Sequence, residues 1–131
     1  MSNIPSNLRY TKDHEWARLE SDGTVVVGIT DHAANTLGDI TFVDVRVGPG
    51  AQVTAGALFG TVDSVKAVSD LFAPIDGEVV AVNGELEASP EEVNTDCYGD
   101  GWMLQIRPTD AAAFERLLTA AQYEALIKDY E

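Results

Sequence analysis

The chain has 131 residues, of which 22 are acidic and 8 are basic, giving a net charge of −14. A polyanion of this kind is repelled by nucleic acids and by anionic membrane surfaces, so neither is expected as a partner. No apolar run approaches the roughly 20 residues that span a bilayer, which disfavours a membrane protein. A length of 131 residues fits one domain, so we expect a single domain over residues 1–131. The acidity either steers basic protein partners or serves solubility alone.

The chain has one cysteine, Cys97. A lone cysteine forms no intrachain disulfide and no cysteine-based metal site, which favours a reducing compartment. The residues that follow Met1 are polar, with neither an apolar signal core nor an arginine-rich stretch. We expect a cytoplasmic protein of bacterial type.

The first hundred residues consist of short apolar or alternating runs separated by glycine, proline and polar turns, which predicts a mostly β fold. Alternation is clearest where valines at 43, 45 and 47 follow a threonine at 41. The predicted strands cover residues 25–30, 41–47, 57–63, 68–72, 78–82 and 102–106.

Two helical regions are predicted. The segment SPEE at 89–92 has a serine N-cap, a first-turn proline and acidic residues at the positive helix end, so a turn or two of helix should start there. From Phe114 onward the apolar spacing becomes helical and extends to Tyr130, which predicts C-terminal helices over about residues 110–129. Thr119 and Gln122 form a capping-box pattern that divides this region into two consecutive helices or one kinked helix. Neither helix carries an obvious catalytic group.

Lys66 is the only basic residue between Arg46 and Arg107, and ten carboxylates lie between Asp63 and Asp100. It falls between two predicted strands that could pair as a hairpin, with the lysine at or near the tip. A primary amine forms a stable amide with a prosthetic acid, and the flexible stem of lysine lengthens the resulting arm. From spacing alone, the favoured interpretation is a lysine that only solvates the turn or balances its acidic neighbours.

The segment DSVKA, residues 63–67, resembles the lipoyl-attachment motif of glycine cleavage H proteins, and the likeness continues through residues 68–70 and 73–79. Further segments similar to family landmarks follow one another in order: YTKDHEW at 10–16, GITDHA at 28–33, LGDI at 37–40, VN at 93–94 and YGDGW at 98–102. Two departures stand out, because Asp63 replaces the usual glutamate and Cys97 replaces a frequent proline. Asp63 keeps the negative charge of the motif.

The resemblance implies a barrel-sandwich hybrid of two small antiparallel sheets, the lipoyl-domain-like fold, with a C-terminal helical addition. It implies lipoate attached covalently to Lys66 within a motif that includes Asp63, Val65 and Ala67. Biotin is a rival prosthetic group on a similar fold, but biotin carriers resemble one another through Met-Lys-Met, whereas valine and alanine flank Lys66.

The resemblance also implies a non-catalytic lipoyl carrier of the glycine cleavage system. Such a carrier receives an aminomethyl group from a pyridoxal-phosphate glycine decarboxylase and presents it to a tetrahydrofolate-dependent aminomethyltransferase. Electrons then pass to a flavin-dependent dihydrolipoamide dehydrogenase, and a lipoate-attaching enzyme loads the lysine. A lipoyl or octanoyl donor in protein lipoylation uses the same lysine and stays open, as does an unmodified binding module.

By analogy with the family, Glu15, His32 and Asp70 are expected to shield the loaded arm from water. A carboxylate suits this role because it can hydrogen-bond a primary ammonium. A solvated turn for Asp70 and a helix-cap or surface role for His32 are the alternatives. Catalysis by zinc or by a cysteine nucleophile is not expected, because the chain has only two histidines and His14-Glu15 lacks the second histidine of a zinc-protease motif.

Overall fold

A computed structural model describes residues 4–128 of the chain. The nine strands are β1 Arg9–Tyr10, β2 Glu15–Leu19, β3 Val25–Ile29, β4 Ile40–Val45, β5 Gln52–Val53, β6 Leu58–Ser64, β7 Val68–Phe72, β8 Gly77–Val82 and β9 Leu104–Pro108. The α-helices within this range are α1 Asp31–Leu37, α2 Glu92–Thr95 and α3 Ala120–Lys128, and short 3-10 helices cover Gly84–Glu87 and Phe114–Arg116.

The strands form two antiparallel sheets. The larger has six strands in the order β1-β2-β3-β9-β8-β5, and the smaller has three in the order β4-β6-β7. Alternate residues of β3 and β9 turn inward, and β4 and β6, each of which has a register shift, also bury residues on this side, so one apolar core fills the space between the sheets. This arrangement, with its C-terminal helix, confirms the predicted mostly β fold.

A second apolar cluster lies on the other face of the six-stranded sheet. Val26 points to this face, while its neighbours Val25 and Val27 belong to the core between the sheets. Tyr123 and Ile127 of α3 cover this face, so the C-terminal helix packs on the sheet opposite the main core. Among residues 4–128, no helix is long and apolar enough to cross a membrane.

Each of the six predicted strands corresponds to an observed one, with bounds that differ by a few residues. Residues 68–72 agree at both ends, whereas β4 ends at Val45 and excludes Val47, and β9 begins at Leu104 and excludes Trp102. The helix α1 was not predicted. Thr30, the last residue of the predicted strand, lies just beyond β3 and caps the helix through its side-chain oxygen, which accepts the Ala33 N–H.

Two helix predictions need correction. The helix expected from Ser89 begins at Glu92, its N-cap position is Glu91, and no side chain caps it; Ser89 lies one turn earlier, where its N–H bonds to the Glu85 carbonyl. The first of the two C-terminal helices is only the 3-10 turn at Phe114–Arg116. Leu118 leaves the helical path because its N–H and carbonyl both pair with Tyr10 at 2.8 Å.

The Thr119 and Gln122 capping box is confirmed. The Gln122 N–H donates to the Thr119 hydroxyl at 3.2 Å, and the Thr119 N–H donates to the Gln122 side-chain oxygen at 2.9 Å. This cap starts α3, which is the second of the predicted C-terminal helices. The predicted helical positions 129 and Tyr130 lie outside the described residues.

Candidate functional site

The hairpin between β6 and β7 carries Lys66 at its tip, as predicted. Ser64 closes the tip: its N–H donates to the Ala67 carbonyl at 2.8 Å, and its hydroxyl oxygen accepts the N–H groups of Lys66 and Ala67 at 3.2 and 3.1 Å. These bonds close the turn, and the Lys66 side chain is exposed. An enzyme that modifies this lysine would have open access to it.

The other residues of the attachment motif surround the lysine on the same hairpin. Asp63 lies opposite Val68 in the hairpin and opposite Phe42 of β4. Ala67 is exposed, and Val65 and Val68 keep 67% and 65% of their surface accessible. Exposed valines beside an acidic residue give the tip a mixed apolar and anionic surface.

The lysine stem lies across Gly38, the residue that ends α1. A Cβ built on Gly38 would be 3.4 Å from the Lys66 Cε atom. The backbone at Gly38 has φ 80° and ψ −153°, a conformation that is essentially restricted to glycine. Glycine at this position therefore provides the turn, and the stem passes it at ordinary van der Waals distance.

Asn94 of α2 holds the segment over which the stem runs. Its side-chain amide donates to the Gly38 carbonyl at 2.9 Å, and its side-chain oxygen accepts the Ile40 N–H at 2.9 Å. The Asp39 carbonyl of this segment in turn accepts the Val65 N–H at 3.1 Å. The segment 93–94 resembled the family, but only the structure reveals that Asn94 connects α2 to the segment next to the lysine hairpin.

A cavity of about 140 Å³ lies between the start of β2, helix α1 and strand β7, and it brings together Glu15, His32 and Asp70. Residues 36 and 37 of α1 also line it, and they directly precede Gly38 under the lysine stem. The three residues expected to shield the arm thus share one cavity, beside the segment that Lys66 crosses.

Glu15 is the buried carboxyl of this cavity, with 1% of its surface exposed. One carboxyl oxygen accepts the Thr11 hydroxyl at 3.0 Å, and the other accepts the Phe72 N–H of β7 at 3.0 Å. Burial raises the pKa of Glu15 from 4.5 to about 8, although the hydrogen bonds from Phe72 and Thr11 favour the ionised form. A cation brought next to this carboxyl would displace its proton.

His14 was considered in the sequence only as a fragment of a zinc motif, yet its ring lines the same cavity. The centres of the His14 and His32 rings are 4.9 Å apart. Burial lowers the pKa of His14, and the neighbouring His32 lowers it further, against the opposing effect of Asp13. Its Nδ1 atom lies 2.8 Å from the Tyr123 hydroxyl of α3, which adds the C-terminal helix to the site.

Cys97 contributes to packing and to a backbone hydrogen bond, and its thiol is not set up for reaction. Burial, with a smaller contribution from the nearby Asp31 and Asp96 carboxylates, raises the pKa of its thiol from 9.0 to about 12. A thiol in this state is a poor nucleophile. Its backbone carbonyl accepts the Trp16 indole N–H at 2.8 Å, which anchors the buried ring of β2.

Comparisons with known proteins agree with one another. The sequence profile of the family described as Glycine cleavage H-protein matches residues 8–130. A Glycine cleavage system H protein of Klebsiella pneumoniae is 55% identical over 129 residues, covering 98% of this chain and 99% of the relative. One of Psychrobacter sp. is 54% identical over 125 residues, covering 95% of this chain and 98% of the relative.

The structural comparison leads to the same family. A crystal structure of a glycine cleavage system H protein from Mycobacterium marinum superposes with a TM-score of 0.84 at 42% identity, covering 93% of this chain and 97% of the other. The shared fold extends over both sheets and is not limited to the lysine hairpin. The chain belongs to the glycine cleavage H-protein family.

Proposed function

We propose that this chain is a non-catalytic lipoyl carrier of glycine cleavage, with lipoate in amide linkage to Lys66. The observation that carries the proposal is the exposed Lys66 at a hairpin tip closed by Ser64, with its stem directed over Gly38 beside an acidic cavity. It would take an aminomethyl group from glycine decarboxylase to the aminomethyltransferase, and electrons to dihydrolipoamide dehydrogenase.

The residues around Lys66 suit this group. When bound, lipoate supplies a dithiolane that accepts the one-carbon group and the electrons. The protein contributes the Lys66 amine, whose stem passes over Gly38, and an exposed tip at which a lipoate-attaching enzyme can act. Asp63, Val65 and Ala67 flank the amine on the same hairpin and are the proposed recognition determinants for that enzyme.

The cavity would hold the charged end of the loaded arm. A primary ammonium entering between Glu15 and Asp70 meets one buried and one exposed carboxyl group. A nearby cation favours the ionised form of Glu15, so binding would release the proton that burial otherwise retains. His32 and the apolar residues of α1 cover the cavity from the other side and would limit contact with water.

Intact mass spectrometry and peptide mapping of protein from cells with an active lipoate-attaching enzyme test the attachment. We expect one lipoyl group, on Lys66 alone. Lys12 and Lys128 are internal controls, since lipoate on either, or an unmodified Lys66, would contradict the proposal.

A reconstituted glycine-dependent exchange assay with the lipoylated protein tests the carrier role. Activity that requires both glycine and lipoylated Lys66 is the expected result, and Lys66→Arg should abolish it. A lipoylated protein without glycine-dependent activity would favour a lipoyl or octanoyl donor in protein lipoylation, which uses the same lysine.

A further inference from the structure

The C-terminal helix reaches the cavity through one buried hydroxyl. Tyr123 of α3 has no exposed surface, and its hydroxyl lies 2.8 Å from His14 Nδ1 and 2.8 Å from the Thr30 hydroxyl. Thr30 is equally buried, and its oxygen already accepts the Ala33 N–H at 3.2 Å as the cap of α1. The Tyr123 hydroxyl therefore lies between the cap of α1 and a histidine of the cavity wall.

The number of hydroxyl protons determines which group donates and which accepts in this hydrogen-bonded chain of Thr30, Tyr123 and His14. Thr30 and Tyr123 each have one hydroxyl proton to donate. Within the described residues, the acceptors for these two protons are the other members of the series Thr30, Tyr123 and His14. Both protons are satisfied in one arrangement, in which Thr30 donates to Tyr123 and Tyr123 donates to His14 Nδ1. If His14 Nδ1 carried a proton, one of the two hydroxyl protons would be buried without an acceptor, which is costly.

We infer that Tyr123 is a positioning residue of the cavity, holding His14 as the neutral tautomer whose proton is on Nε2. The proton count assigns this tautomer from the hydrogen-bond geometry. It also opposes a charged His14, because an imidazolium donates from both ring nitrogens and would reverse the chain.

The backbone of His14 agrees with a fixed role for its ring. His14 has φ 67°, the one left-handed non-glycine residue in the described part of the chain. Its carbonyl accepts the Thr30 N–H at 3.0 Å, and its own N–H donates to the Thr11 carbonyl at 3.1 Å. Strained conformations of this kind persist where the surroundings determine them, and they cluster at functional sites.

A neutral His14 leaves the surrounding carboxyl groups available to a cationic ligand. Asp13 and Glu15 flank it in β2 and the turn before it, His32 faces it from α1, Asp70 lines the same cavity from β7, and Tyr123 contacts it from α3. A cationic His14 would compete with an ammonium ligand for these carboxyl groups. Burial and His32 already lower the pKa of His14, in agreement with the direction of the hydroxyl chain. This consequence for ligand binding rests on the proposed function, whereas the tautomer does not.

Nitrogen-15 NMR of the histidine rings tests the inference on the unlipoylated protein. The chain has two histidines, and a His32→Gln variant assigns their signals. We expect His14 to show a protonated Nε2 and an unprotonated Nδ1 throughout the range in which the ring is neutral. A His14 with its proton on Nδ1, or an even mixture of tautomers, would overturn the inference without any change to Tyr123.

Tyr123→Phe removes the hydroxyl, and Tyr10→Phe is the matched control. The Tyr10 ring stacks on Tyr123 at 4.8 Å between centroids, but the Tyr10 hydroxyl donates to the Pro5 carbonyl and is not part of the chain to His14. We expect Tyr123→Phe to raise the titration midpoint of His14 and to mix its tautomers, and Tyr10→Phe to leave both unchanged. An unchanged His14 in a folded Tyr123→Phe protein, or equal changes in the two variants, would remove Tyr123 from the site.

A functional measurement separates this inference from the carrier proposal. In lipoylated Tyr123→Phe, the glycine-dependent exchange should need more carrier for half-maximal rate at a pH near neutrality, while the rate with free lipoate as acceptor stays the same. If the lipoylated wild-type protein shows no exchange at all, the carrier proposal fails while the NMR result stands. If exchange is normal and the tautomer is wrong, only the role of Tyr123 fails.

Discussion

Replacing Glu15 by glutamine should change how the stability of this protein depends on pH. The folded pKa of Glu15 is about 8, against 4.5 as its ordinary value. Between these values the folded state binds more protons than the unfolded state, so this group makes the free energy of unfolding fall as pH rises. The full effect is on the order of 5 kcal/mol, since each pKa unit is worth about 1.4 kcal/mol.

Glutamine removes the titration but fits the same hydrogen bonds. Its side-chain oxygen can accept the Phe72 N–H and its amide can donate to the Thr11 hydroxyl, the two groups that Glu15 contacts. At pH 4 the variant and the wild type should have similar stability. Between about pH 5 and pH 8 the stability of the variant should rise above that of the wild type, and it should remain higher by a few kcal/mol at pH 9.

Urea unfolding followed by tryptophan fluorescence and circular dichroism at each pH measures this difference. Trp16 has no exposed surface, so its emission reports the loss of the fold. Glu87→Gln is the matched control, because it makes the same chemical replacement at an exposed position. A stability difference between Glu15→Gln and wild type that stays constant from pH 5 to pH 9 would refute the buried, protonated state of Glu15.

Three further predictions address the hairpin, the packing and the charge. Lys66→Arg should abolish lipoylation and shift unfolding by no more than about 0.5 kcal/mol, because the side chain is exposed; mass spectrometry and thermal melting check both parts. Gly28→Ala should destabilise the fold by about 1–3 kcal/mol in urea unfolding, since a Cβ would be 2.8 Å from the Trp16 ring, whereas Gly48→Ala, with nothing within 4 Å, should not. In the exchange assay the KM for the carrier should rise with sodium chloride while turnover changes less, because the Debye length falls from about 10 Å at 0.1 M to about 3 Å at 1 M. Free lipoate corrects for salt effects on the enzyme, and a KM that does not change with salt would mean that the acidity serves solubility only.

The sequence predicted the sheets better than the helices, for physical reasons. Strand signals are local, since an inward residue at every second position is visible in a run of five or six residues. Helix α1 spans 7 residues, and its apolar residues are only Ala33, Ala34 and Leu37, which is too short a pattern to indicate a helical period. The failed helix near Phe114 had the right period, but backbone pairing of Leu118 with Tyr10, 108 residues away, took precedence.

The residues of the site also fall into two groups, those that the sequence indicates and those that only the structure reveals. Lys66 could be singled out from its isolation among carboxylates, and its motif could be compared with a family. The meeting of Glu15 with β7 could not be read from the sequence, because it joins residues 57 positions apart. Tyr123 was hidden for another reason: its position on the apolar face of a helix predicts burial, and burial alone does not reveal what its hydroxyl contacts.

Glu15 also connects the two sheets, but this connection does not by itself explain why a costly buried carboxyl would be kept there. It begins β2 in the six-stranded sheet and accepts the N–H of Phe72 from β7, the edge strand of the three-stranded sheet. That N–H needs an acceptor, because an unpaired backbone donor in the interior is itself destabilising. An amide side chain would satisfy it without any pH-dependent cost, so structure alone does not require a carboxyl group. A carboxyl that is protonated when the cavity is empty and ionised when a cation enters has a different advantage. It pairs a charge with the ligand only when the ligand is there to compensate for its burial.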